Sequence, residues 1–211
     1  MPKPSWAEPA AAPSGTNIKP KFEILGHVGA KLETLRLTLS PCRPSDRADF
    51  MNLELDPVVM RFLNGGHAVD YKRAKSSTTF LMPRGKEDYV WTARRKTNNE
   101  FVGWFCLWPE NEKLAELGYR LRRVDWGQGL ASEGASALVK WGFASGGYYE
   151  VFASTMAVNL ASRRVMEKIG MNYARTVYND YPEPIAGSEL GEVEYRVMRE
   201  QALNNCCQPP I

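Results

Sequence analysis

The chain has 211 residues, 44% of them hydrophobic and 24% charged, with a formal net charge of +3. This is enough apolar material for one packed domain and a tail, and too small a basic surplus to point to nucleic acid or a membrane surface. No stretch has the apolar length of a membrane span, and the opening MPKPSWAEPAAAPSGTNIKP lacks the continuous apolar segment of a secretory leader, so a cytoplasmic protein is expected. Cys42 and Cys106 lie far apart, Cys206 and Cys207 adjoin near the C-terminus, and His27 and His67 are isolated. These spacings match neither a disulfide framework nor a zinc site, so reduced thiols and no metal are expected. Proton transfer, if there is any, then falls to carboxylates, hydroxyls or water.

Residues 1–21 are rich in Pro, Ala and Ser without periodicity and read as a disordered tail. Leu35, Leu37 and Leu39 alternate with polar residues, the period of a half-buried strand that Pro41 and Pro44 interrupt. Ser45 can cap a helix over Asp46 to Leu55 with Ala48, Met51 and Leu55 on its apolar side, and a second helix is predicted between Asp70 and Leu81. Tyr89 to Arg95, Phe101 to Trp108 and Leu114 to Arg122 are aromatic or alternating stretches separated by polar turns, the pattern of consecutive antiparallel strands. The clearest helical pattern runs from Gly127 to about Ala144, with Leu130, Gly134, Ala137, Leu138 and Trp141 on one face. Tyr149 to Ser154 reads as a buried strand, Asn159 to Ile169 as a helix stopped by Gly170, and Asn172 to Tyr178 and Glu192 to Arg199 as closing strands. The predicted order is β-α-α-β-β-β-α-β-α-β-β.

Two segments carry candidate chemistry. In Trp126-Gly127-Gln128-Gly129-Leu130-Ala131, paired glycines between a strand and a helix allow a tight turn whose N–H groups face an anion such as a pyrophosphate; a plain connecting turn is the alternative. A Walker loop would need Gly-Lys-Ser/Thr where Gly129-Leu130-Ala131 stands, and a dinucleotide fingerprint would need glycine at Ser132. In the second segment, Asn159-Leu160-Ala161-Ser162-Arg163-Arg164, Ser162 falls inside the apolar stripe of Ala161, Val165, Met166 and Ile169. An inward hydroxyl needs a partner, and either a back-bond to the preceding turn or a ligand supplies one. Asn159 reads equally as a plain N-cap.

Leu117-Gly118-Tyr119-Arg120-Leu121, the turn from Trp126 to Glu133, and the run from Asn159 to Met171 resemble the GNAT superfamily of acetyl-CoA-dependent N-acetyltransferases. The branch containing the ribosomal-protein alanine N-acetyltransferases is the most similar, and Leu32 to Leu37 and Asp56 to Leu63 also look like it. The resemblance implies one α/β (α+β) domain over residues 31–201, with a mixed, mostly antiparallel sheet of about seven strands flanked by helices, and a flexible tail over residues 202–211. It implies acetyl-CoA as cosubstrate and an amine acceptor, without nucleic acid or membrane, and admits a homodimer. The cofactor is then expected along Leu121, Arg122, Arg123, Trp126, Gly127, Gln128, Gly129, Leu130, Ala131, Ser132, Asn159, Ser162 and Arg163. Backbone N–H groups from Gly127 to Ala131 would hold the pyrophosphate, main-chain groups at Leu121 and Arg123 would pair with the pantetheine arm, Asn159 would contact it, and Ser162 would lie near the thioester sulfur as the candidate acid for the departing thiolate.

The chain also departs from the family pattern. Trp126 stands where many relatives carry Arg or Gln, and Met166 stands where many carry a tyrosine acid; a thioether donates no proton. Glu116 and Glu194 are the candidate general bases, beside water. Direct transfer from acetyl-CoA to an amine is the expected reaction, with a catalytically silent acyl-CoA-binding module as the alternative.

Overall fold

The computed structural model describes residues 30–63, 66–67, 87–180 and 184–204. Eight strands form one sheet: β1 (Leu32–Glu33), β2 (Leu37–Pro41), β3 (Val90–Arg95), β4 (Phe101–Pro109), β5 (Leu114–Leu121), β6 (Glu150–Met156), β7 (Asn172–Val177) and β8 (Glu192–Met198). They lie in the order β1-β2-β3-β4-β5-β6-β8-β7, antiparallel throughout except for the parallel pair β5 and β6. That one parallel pair requires a crossover, which the helix α3 (Leu130–Ala144) supplies.

Helices cover both faces. Leu130, Leu138 and Trp141 of α3, with Met166 of α4 (Leu160–Lys168), bury against Phe105, Leu107, Leu117 and Val151. On the opposite face, Phe50 and Leu53 of α1 (Arg47–Glu54) and Val59 of α2 (Pro57–Met60) pack against Phe101, Trp104, Cys106 and Trp108. Being covered on both sides explains the almost continuously apolar sequence of β4. A short α5 (Arg199–Asn204) follows β8.

The pairing of β5 and β6 is brief and decides where a ligand could enter. Their register runs only from Leu114↔Glu150 to Glu116↔Phe152. Beyond it β5 continues to Leu121 on β4, while β6 continues to Met156 on β8. The two strands therefore diverge, leaving a wedge in the middle of the sheet.

Several expectations are corrected. The sheet has eight strands, because Leu32–Glu33 adds an edge pairing to β2 that is too short to show a period. Leu35 is 87% exposed in the turn before β2 and is not part of the strand. A short 3-10 turn, Pro44–Asp46, precedes α1, and the N-cap is Asp46, not Ser45. The buried side of α1 is Phe50, Leu53 and Glu54, whereas Leu55 is exposed, since Phe50 must face the tryptophans of β4. Ala161 is exposed, so the inward stripe of α4 narrows to Ser162, Val165, Met166 and Ile169. The turn from Gly127 to Gly129 precedes α3 instead of forming its first residues. α5 runs three residues, to Asn204, into the expected C-terminal tail. The tail over residues 1–21, the helix over residues 70–81, and Cys206 and Cys207 lie outside the described residues.

Candidate active site

Ladder geometry fixes which backbone groups line the wedge. Arg122 N donates to Val102 O at 2.9 Å, so even-numbered residues of β5 direct their N–H and C=O groups at β4. In an antiparallel pair the alternate residues point the other way. Tyr119 and Leu121 therefore present their main-chain groups to the wedge, beyond the last pair with β6.

The turn after β5 is tightly braced from below. Asp125, 2% exposed, accepts from Arg95 Nη2 at 2.6 Å and Arg122 Nε at 2.8 Å. Gln128 accepts from Arg95 Nη2 through its Oε1 at 2.8 Å, donates through Nε2 to Val124 O at 2.9 Å, and accepts from Arg36 Nη1 at its main-chain oxygen at 2.8 Å. Its side chain thus holds the turn. Gly127 and Gly129 have φ of 73° and 78°, the left-handed region that favours glycine. The first helical N–H to bond back is that of Glu133, to Gly129 O at 3.0 Å. Those of Leu130, Ala131 and Ser132 have no intrahelical acceptor and sit at the positive end of a 15-residue helix. An anion fits that position.

Glu133 ties this helix start to the strand edge. It accepts from Thr34 Oγ1 at 2.5 Å and from Arg36 N and Arg36 Nε at 2.7 Å each. Burial pushes its carboxyl up, but the hydrogen bonds from Thr34 and Arg36 outweigh that and leave it below the usual range.

Across the wedge stands the first turn of α4. Asn159 is the N-cap: its Oδ1 accepts from Ser162 N at 3.3 Å, and its Nδ2 donates to Thr155 Oγ1 at 3.0 Å. Ser162 faces inward, where its Oγ lies 2.9 Å from the Tyr119 hydroxyl, which also donates to Ser162 O at 3.1 Å. Tyr119 stands within the Leu117–Leu121 motif, which by itself assigns it no role; its place on an odd position of β5, whose main chain faces the wedge, is the signal that could have found one.

The remaining sequence candidates separate. Trp126 donates its indole N–H to Leu121 O at 2.8 Å, and the Arg61 guanidinium lies 5.6 Å from its ring centroid. Arg122 is engaged with Asp125, Arg123 is exposed, and Arg163 folds back to donate to Tyr195 OH at 3.2 Å and Ala157 O at 3.1 Å. Glu116 is buried on β5, on the sheet face opposite Tyr119 and at the last pair before the wedge. Glu194 is buried too, but it accepts from Arg175 Nη2 at 2.8 Å and Arg196 Nε at 2.6 Å. Burial raises its proton affinity and the two arginines more than reverse this, so Glu194 is suited to bracing β7 and β8, and poorly to accepting a proton.

The chain as a whole is similar to known proteins. A family model described as an acetyltransferase (GNAT) domain matches residues 36–172. The chain belongs to the GNAT acetyltransferase family. The FsC-acetyl coenzyme A-N(2)-transacetylase of Aspergillus fumigatus is 37% identical over 186 residues, 82% of this chain and 77% of that protein. Among solved structures, a GNAT-family acetyltransferase from Bacillus anthracis superposes with a TM-score of 0.67 at 23% identity, covering 81% of this chain and 99% of that one. RimJ from Mycobacterium smegmatis, in complex with CoA-disulfide, superposes with a TM-score of 0.61 at 15% identity, covering 82% and 88%. The chain is an N-acetyltransferase of this family.

Proposed function

We propose that the protein transfers an acetyl group directly from acetyl-CoA to a primary amine, through a ternary complex in the wedge. The observation that carries this reading is the early end of β5–β6 pairing at Glu116↔Phe152, directly upstream of a glycine turn at a helix N-terminus. The turn from Gly127 to Ser132 then takes the pyrophosphate on its N–H groups. Main-chain groups of Tyr119 and Leu121 run alongside the pantetheine arm, and one N–H of that edge is placed to stabilise an oxyanion. Asn159 and Ser162 border the thioester from α4. The amine must be neutral to attack, so Glu116 or a water accepts its proton. In the reaction the C–N bond forms, the C–S bond breaks and the electron pair leaves on sulfur.

One relative is named an FsC-acetyl coenzyme A-N(2)-transacetylase, a name that carries a nitrogen, N(2), and on that pattern we take a small-molecule amine as the acceptor class. Isothermal titration with acetyl-CoA, followed by thiol release against small-molecule amines and peptide N-termini, tests the whole reading. Saturable binding with turnover on a small-molecule amine is expected. Turnover on peptide N-termini alone would change the acceptor class, and binding with no turnover would favour a silent acyl-CoA-binding module.

A further inference from the structure

We propose that Tyr119 is a positioning residue for acetyl transfer: its phenol directs the Ser162 hydroxyl at the sulfur of the bound thioester. The inference rests on the acetyl-transfer reading above and deepens it by naming how the departing sulfur is met.

The geometry is specific. Tyr119 lies on the part of β5 that has parted from β6, and Ser162 in the first turn of α4, so their hydrogen bonds bridge the open end of the wedge. A phenol has one proton, and here it has two acceptors on a single residue: Ser162 O at 3.1 Å and Ser162 Oγ at 2.9 Å. With the proton on the carbonyl, Ser162 can donate to the phenol oxygen. With the proton on Oγ, the serine O–H is turned outward and strengthened as a donor. The exchange needs no heavy atom to move. Burial pushes the Tyr119 phenol far above the usual tyrosine value, so it stays neutral and keeps its proton to donate. Met166, one turn beyond Ser162, is buried and has no proton to offer.

The chemistry follows from relative acidities. As the C–S bond breaks, the electron pair goes to sulfur, and the amine's proton leaves to the base or to water. A serine hydroxyl is a much weaker acid than a thiol, so Ser162 holds the thiolate by a charge-assisted hydrogen bond and does not protonate it. Water supplies that proton on release. Tyr119 acts through Ser162 without touching the reacting atoms.

Steady-state kinetics with an accepted amine test the proposal on Y119F, S162A and the double variant. In Y119F kcat is expected to fall about tenfold while KM for acetyl-CoA stays within about twofold, the size of one hydrogen bond lost in the transition state alone. S162A is expected to fall at least as far, and the double variant no further than S162A, because the two hydroxyls act as one unit. A merely structural tyrosine would lower the melting temperature of Y119F and leave the kcat of folded enzyme unchanged. Full kcat in either single variant, or multiplicative losses in the double variant, overturns the proposal. If Y119F fails to fold, S162A decides alone by the same criterion. A wild-type protein that releases no thiol with any amine overturns the acetyl-transfer reading itself, and this inference with it.

Discussion

The indole N–H of Trp126 donates to the carbonyl of Leu121 across 2.8 Å, joining the turn before α3 to the last residue of the strand edge that lines the wedge. The turn proposed to take the pyrophosphate and the edge proposed to take the pantetheine arm are thereby joined by a direct hydrogen bond. Removing the donor while keeping an aromatic ring, as in W126F, frees the Leu121 carbonyl and loosens the turn. Expected is a loss of about 1 kcal/mol in stability, with KM for acetyl-CoA raised several-fold and kcat less affected. Denaturant titration alongside kinetics checks both.

Gly129 and Gly147 provide a controlled comparison, having nearly equal φ of 78° and 77° at opposite ends of α3. An alanine in this left-handed region costs about 1–2 kcal/mol wherever it stands. G129A and G147A should therefore melt lower by similar amounts. Only G129A, at the end proposed to take the pyrophosphate, should weaken acetyl-CoA binding by calorimetry.

A Cβ added at Gly103 would overlap the carbonyl oxygen of Arg120, because β4 and β5 approach closely at the far end of the free edge of β5, where Gly103 pairs with Leu121. Backbone cannot yield as a side-chain tip would. G103A is expected to destabilise the fold by about 1–3 kcal/mol and to displace the Tyr119–Leu121 edge, lowering kcat/KM in the folded fraction. Thermal melts and kinetics at a temperature well below the transition separate the two effects.

Glu133 gives acid sensitivity a location. Its folded-state carboxyl binds protons less readily than in the unfolded chain, where the value is about 4.3. The stabilisation from Thr34 and Arg36 is thus present above that value and disappears as pH falls through the lower, folded one. E133Q should be less stable than wild type at pH 7, and the gap between them should close as the solution is acidified below about 4.3. Urea titrations across that range check the sign; a gap that widens in acid would contradict it.

The local patterns were legible because they depend on near neighbours. The helix after Gly129 shows in its apolar face, the strands around Val90 to Leu121 in their aromatic and β-branched runs, and the glycine turn in its spacing, since a positive φ selects its residue directly. Local pattern misjudged the face of α1, where Phe50 wins over Leu55 because the tryptophans of β4 lie on its side. It also missed β1, whose two residues are too few to show a period.

The sequence by itself determined most of the element order, the glycine turn and the inward position of Ser162, consequences of residue-by-residue conformational preference and apolar spacing, while the mixed sheet followed from the family resemblance. Only the tertiary structure decided what those parts meet. Where β5 leaves β6 depends on β4 and β8 competing for them, pairings that join residues far apart in the chain. Glu194 lies among arginines from β7 and β8, and Tyr119 reaches Ser162 across 43 positions of sequence. Such meetings are set by how the strands and helices pack, and no local spacing encodes them.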